Sequence, residues 1–124
     1  MMNPQLAPVK TILCIDDEPS GLLVRSRVLE INGYTVLSAQ SGREGLELFR
    51  SHPVDVVVLD YYMPELSGEV IASEMRRMKP QVPIILLSAF VEVPETTLKL
   101  VDRVVLKAQH PDVLLKEVEL LAAA

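Results

Sequence analysis

The chain has 124 residues, 49% of them hydrophobic and 23% charged. That balance describes one globular domain with a sizeable core and excludes a disordered segment. Its 12 Lys and Arg against 17 Asp and Glu leave a net charge of −5, so direct binding to nucleic acid is not expected.

Residues 1–9 carry Pro4 and Pro8 and lack the charged-then-apolar pattern of a secretory leader. They are expected to form a flexible segment ahead of a domain over residues 10–124. No apolar stretch reaches membrane-spanning length, so no membrane association and a cytoplasmic location are expected. The single cysteine, Cys14, excludes an intramolecular disulfide.

Thr11 to Ile15 is an apolar, β-branched run that ends on Asp16-Asp17-Glu18. Such a run reads as a strand buried on both faces, and it makes Cys14 an inert thiol. After Pro19-Ser20, Leu22, Leu23, Val24, Val28, Leu29 and Ile31 recur at helical spacing between Gly21 and Asn32, and Gly33 is placed to stop that helix. Thr35 to Ala39 is a short strand. Ser41 and Glu44 have the spacing of a capping box for a helix through Phe49, which His52-Pro53 ends. Val54 to Leu59 is a second buried run, and it ends on Asp60. Pro64 and Gly68 break the following loop, and Ser67 is an N-cap for a helix to about Lys79. Val82 to Leu87 forms a fourth strand closing on Ser88-Ala89. Pro94 to Val101 has room for about two helical turns. Val104 to Leu106 closes on Lys107, and Pro111 stands near the start of a last helix from Asp112 to about Ala122. This alternation predicts an α/β fold, with a five-stranded parallel sheet between two layers of helices.

Two buried strands that both finish in acid put several carboxylates at the carboxyl edge of the sheet, where ligands bind in open α/β folds. Like charges that close repel each other unless a cation sits among them or a proton is taken up. A hard divalent metal is therefore implied. Ser88 and Lys107, ending the fourth and fifth strands, are expected at the same edge.

Together these residues resemble the receiver domain of two-component response regulators, over about Lys10 to Leu121. The resemblance rests on Asp16-Asp17-Glu18 after the first strand and on Asp60 in an Asp-x-x-Met-Pro-x-x-x-Gly context ending at Gly68. Ser88-Ala89 after the fourth strand and Lys107 after the fifth complete it. Any one of these residues alone would read as a turn, a cap or a surface charge. The resemblance implies a flavodoxin-like three-layer αβα sandwich with sheet order 2-1-3-4-5, to which the few residues between Ser88 and Lys107 add the expectation of a short fourth helix. It implies phosphorylation of Asp60 by a histidine kinase or a phosphotransfer protein, with Mg²⁺ as cofactor, in a switch that regulates an unknown downstream protein and is not a turnover enzyme. Asp17 and Asp60 would bind the metal directly, Asp16 partly through water, and Tyr62 through its backbone carbonyl. Lys107 would pair with Asp60 and then with a phosphoryl oxygen, and the Ser88 hydroxyl and Ala89 N–H would bind the phosphoryl group. Glu18 either neighbours the metal or favours the helix dipole. Oligomeric state is left open, with a dimer among the options.

Three positions depart from the family pattern. Val104 replaces an aromatic ring, Ala108 replaces a proline in a cis bond, and the stretch from Ser88 to Lys107 is short. A cis bond before Ala would cost about 2.5–4 kcal/mol, so a trans bond is expected. All three lie on the surface that carries signal onward in the family, which keeps a second reading alive: a degenerate receiver acting only as an interaction module. A phosphohydrolase of the haloacid dehalogenase type is remote, because it needs an Asp where Tyr62 stands.

Overall fold

The computed structural model describes residues 8–90 and 92–123. Residues 1–7 of the expected flexible segment lie outside that range. Five strands, β1 (Thr11–Ile15), β2 (Thr35–Ala39), β3 (Val56–Asp60), β4 (Ile84–Ser88) and β5 (Arg103–Leu106), alternate with five helices, α1 (Pro19–Ile31), α2 (Gly42–Ser51), α3 (Gly68–Met78), α4 (Glu95–Leu98) and α5 (Pro111–Ala123). All strand pairs are parallel and the order is β2-β1-β3-β4-β5. The sequence-based fold class holds.

Strand alternation divides the core into two layers. Leu13, Ile15, Val57, Leu59, Ile84 and Leu86 face α2 and α3, where they meet Phe49, Ile71, Ala72 and Met75. Ile12, Cys14, Val56, Val58, Ile85 and Leu87 face the other way, onto Leu22 and Leu29 of α1 and Leu114 and Val118 of α5. Every residue of β3 and β4 is buried, which accounts for their unbroken apolar sequences. Burial pushes the Cys14 thiol up to about 12, so it is inert as a nucleophile.

Local chemistry sets the element ends. Gly33, at φ +95°, closes α1, with its N–H donating to Glu30 O at 3.0 Å and that of Tyr34 to Leu29 O at 3.2 Å. Ser41 Oγ accepts from the Glu44 N–H at 3.1 Å, but the Glu44 carboxylate reaches back to the N–H of Gln40, one residue before the cap. Strands β3 and β4 each begin two residues later than the sequence reading and take in Asp60 and Ser88, and two helices differ as well. Helix α1 begins at Pro19 because Glu18 caps it and Pro19 fits the first turn. Helix α4 is four residues, one turn where two were expected, because Pro94 offers no side-chain cap and Leu100 N–H already bonds Thr97 O. The short helix is anchored by the buried Thr97, whose hydroxyl donates to Glu69 Oε1 at 2.8 Å.

Candidate functional site

Parallel register aligns the strand ends. Ile15 lies beside Ala39, Asp60 beside Leu87, and Ser88 beside Leu106. The residues that follow or end these strands therefore share one edge. Asp16 is 1% exposed and Asp60 3%, while Asp17 is exposed. One oxygen from each of the three lies within 4.8 Å of the others.

Lys107 is delivered to this cluster by β5, where its N–H donates to Ser88 O at 2.8 Å. Its Nζ donates to Asp60 Oδ2 at 2.9 Å and stands 3.5 Å from Asp16 Oδ2. The Asp60 carboxyl is pushed up to about 6, first by burial; the Lys107 hydrogen bond pulls it down and the charge of Asp16 pushes it up. One cation does not neutralise the cluster.

Glu18 lines the cleft that holds this cluster, but its carboxylate is engaged at the start of α1. Its carboxylate accepts from the Ser20 hydroxyl at 2.7 Å and from the N–H groups of Ser20 and Gly21, which holds it below the usual carboxylate range. Of the two readings left open for Glu18, helix capping is the one observed. Ser88 is 1% exposed, but its hydroxyl is engaged with its own loop, donating to Phe90 O at 2.8 Å and accepting from Phe90 N–H at 3.0 Å. Tyr61 packs against the core, whereas Tyr62 is 75% exposed at the mouth, and its N–H donates to Asp60 Oδ1 at 3.4 Å. Ala89 is exposed. Asp17, Asp60, Tyr62, Ala89, Phe90 and Lys107 are among the residues that bound an open cleft of about 360 Å³. Val104 lies outside it, beside Leu86 on the edge strand, and no cis peptide bond occurs among the described residues.

The sequence reading missed Arg25, which forms an ion pair with Asp16. The available signal was its spacing: Arg25 follows Glu18 by seven residues, about two helical turns, and so shares a face with the cap.

Comparison with known proteins bears on what the arrangement is. The family model of the response regulator receiver domain matches residues 12–120. The chain belongs to that family. Among relatives, it is 34% identical over 84 residues to the transcriptional regulatory protein GlrR of Escherichia coli, covering 68% of this chain and 19% of that protein. It is 42% identical over 84 residues to the probable transcriptional regulator ycf27 of Porphyridium aerugineum, covering 68% and 35%. The receiver domain thus spans well under two thirds of these relatives' length. A CheY-like receiver domain from Methanospirillum hungatei shares the fold with a TM-score of 0.89, over 94% and 95% of the two chains, at 22% identity. The response regulator TrrA from Thermotoga maritima, solved in complex with Mg²⁺-BeF, is 35% identical, with a TM-score of 0.86 over 91% and 99%.

The loop of this receiver domain that follows Asp60 depends on Gly68. A Cβ there would stand 2.9 Å from Tyr61 Cα and 3.1 Å from Asp60 O, both backbone atoms that no rotamer change can move. Its N–H also donates to Tyr61 O at 2.9 Å. Gly68→Ala should therefore cost about 1–3 kcal/mol through overpacking, read as a lower urea midpoint with an unchanged slope. An unaltered midpoint would show that the loop yields freely.

Proposed function

We propose that this receiver domain accepts a phosphoryl group on Asp60 in a Mg²⁺-dependent reaction and responds with a loop rearrangement that regulates a partner protein. The observation that carries the reading is Asp60 itself, a buried carboxylate between two acids and one lysine at the ligand-binding edge of the sheet. The donor set fits magnesium, being made of hard carboxylate oxygens without sulfur or imidazole. Asp17 and Asp60 would hold the ion directly, Asp16 partly through water, and the Tyr62 carbonyl would add a backbone ligand. When bound, the ion supplies positive charge against the phosphoryl oxygens.

The chain's own residues then have distinct tasks. An Asp60 oxygen forms a P–O bond as the donor's bond to phosphorus breaks, and the bonding electron pair leaves with the donor. Lys107 moves its hydrogen bonds from Asp60 toward a phosphoryl oxygen. The Ser88 hydroxyl exchanges its bonds to Phe90 for the phosphoryl group, beside the Ala89 N–H, and so frees the loop after β4. A histidine kinase or phosphotransfer protein is the proposed donor; the related TrrA has been solved with the histidine kinase ThkA. The regulated partner is a protein, with direct DNA contact left to other parts of such regulators. No helix among the described residues is long and apolar enough to cross a membrane.

Intact-mass measurement after incubation with acetyl phosphate and Mg²⁺ tests this. Wild type should gain one phosphoryl mass and Asp60→Asn none; an undiminished gain in Asp60→Asn would overturn the assignment. Metal titration adds an independent result. Asp17→Asn should lose most Mg²⁺ affinity, because a direct ligand and a charge both go, and Asp16→Asn should lose less. Equal affinity in all three proteins would place the metal elsewhere. The interaction-module reading keeps one observation in its favour, Val104 in place of a ring on β5 beside a one-turn α4. It expects no mass gain in wild type.

A further inference from the structure

Both oxygens of Asp16 are already committed. Oδ1 accepts the Glu18 N–H at 2.9 Å, and Oδ2 carries the Arg25 guanidinium with Lys107 Nζ at 3.5 Å. The Arg25 side chain is 18% exposed and that of Asp16 2%, so the pair is shielded from solvent. Space for the guanidinium comes from Gly21, where a Cβ would stand 2.9 Å from Arg25 Nη2 and 3.3 Å from Nη1. Three carboxylates with Lys107 alone would carry a charge of −2; Arg25 reduces it to −1.

We propose that Arg25 is a built-in counter-cation that competes with divalent metal for the acidic cluster and thereby lowers its metal affinity. The inference rests on the magnesium site proposed above and adds a residue that sets its strength. A metal gains less from carboxylates that a guanidinium has already neutralised, and it is repelled by that charge at close range. Removing one positive charge within a side chain's reach of a divalent ion should tighten binding about three- to tenfold in this half-open setting. The opposite expectation belongs to a purely structural Arg25 that only holds Asp16 in place, since its loss would then loosen the ligand set.

Titration calorimetry with MgCl₂ at constant ionic strength and about pH 7.5, where the carboxylates are largely ionised, separates the two. Arg25→Gln should bind Mg²⁺ three- to tenfold more tightly than wild type, and Arg25→Lys, which keeps the charge, within about twofold of it. Where Arg25→Gln fails to fold, Gly21→Ala serves instead. Its Cβ would crowd the Glu18 carboxylate at 2.9 Å as well as the guanidinium, so it displaces the guanidinium without removing its charge, and binding should also tighten. Unchanged or weaker binding in the folded variant would overturn the counter-cation while leaving the metal site standing. Absence of saturable binding by wild type would overturn the metal site and this inference together.

Discussion

Asp60→Asn should be more stable than wild type in metal-free buffer near pH 7.5, by about 2–3 kcal/mol. Burial raises the folded-state carboxyl from 3.8 to about 6, so above that range the folded protein holds a charge it disfavours. A tenfold change in proton affinity is worth about 1.4 kcal/mol, and burial, Lys107 and Asp16 together change that of Asp60 by roughly a hundredfold. As pH falls through about 6 toward 3.8 the folded state takes up the proton first, and wild type recovers stability relative to the amide variant. Thermal melts should show Asp60→Asn higher by roughly 5–10 °C at neutral pH, with the gap closing on acidification. Added Mg²⁺ should also narrow it, by stabilising wild type more. A variant less stable than wild type at neutral pH would mean that the Lys107 pairing outweighs desolvation.

Arg76→Ala should be the most damaging single change outside the apolar core, at about 2–4 kcal/mol. Arg76 Nε donates to Leu100 O at 2.8 Å, and Nη1 donates to Val82 O at 2.9 Å and Pro80 O at 3.1 Å. Nη2 pairs with Asp102, whose carboxylate also accepts the Ile84 N–H at 2.8 Å. One guanidinium thus ties α3 to the start of β4 and to the loop after α4. Truncation strands three carbonyls and weakens the hold on Asp102, and each unmade bond at a partly buried site is costly. Lysine cannot span the same acceptors, so Arg76→Lys should recover little. Urea unfolding measures both variants, and a loss under about 1 kcal/mol for Arg76→Ala would show that water replaces these bonds easily.

The contrast between Arg76 and Asp60 explains what could be read from the chain alone. The order of the strands in the sheet followed only from the family resemblance, whereas the strands themselves were legible because β3 and β4 are buried on both faces and so carry nearly unbroken apolar runs. That made Asp60 and Ser88 conspicuous. Glu18 was ambiguous, because a carboxylate after β1 is equally placed to reach a metal or to cap α1, and only the side-chain direction decides. Arg25 and Arg76 were invisible for a common reason. Long side chains act at a distance from their own backbone, on acceptors 9 and 26 residues away in the chain for their acidic partners, and helical periodicity treats both as surface positions. The state of Ser88 was equally hidden, since a hydroxyl in a loop can turn to its own backbone as readily as to a ligand.

The central claim is that Asp60 is the phosphorylated residue, and the chemistry of an acyl phosphate allows it to be read directly. Borohydride reduces an aspartyl phosphate to homoserine and leaves free carboxylates unchanged. Wild type treated with acetyl phosphate and Mg²⁺, reduced, digested and sequenced by mass spectrometry should carry homoserine at position 60, and omission of Mg²⁺ should suppress it. Homoserine at Asp16, Asp17 or another acid, or none despite a phosphoryl gain in the intact mass, would contradict the assignment.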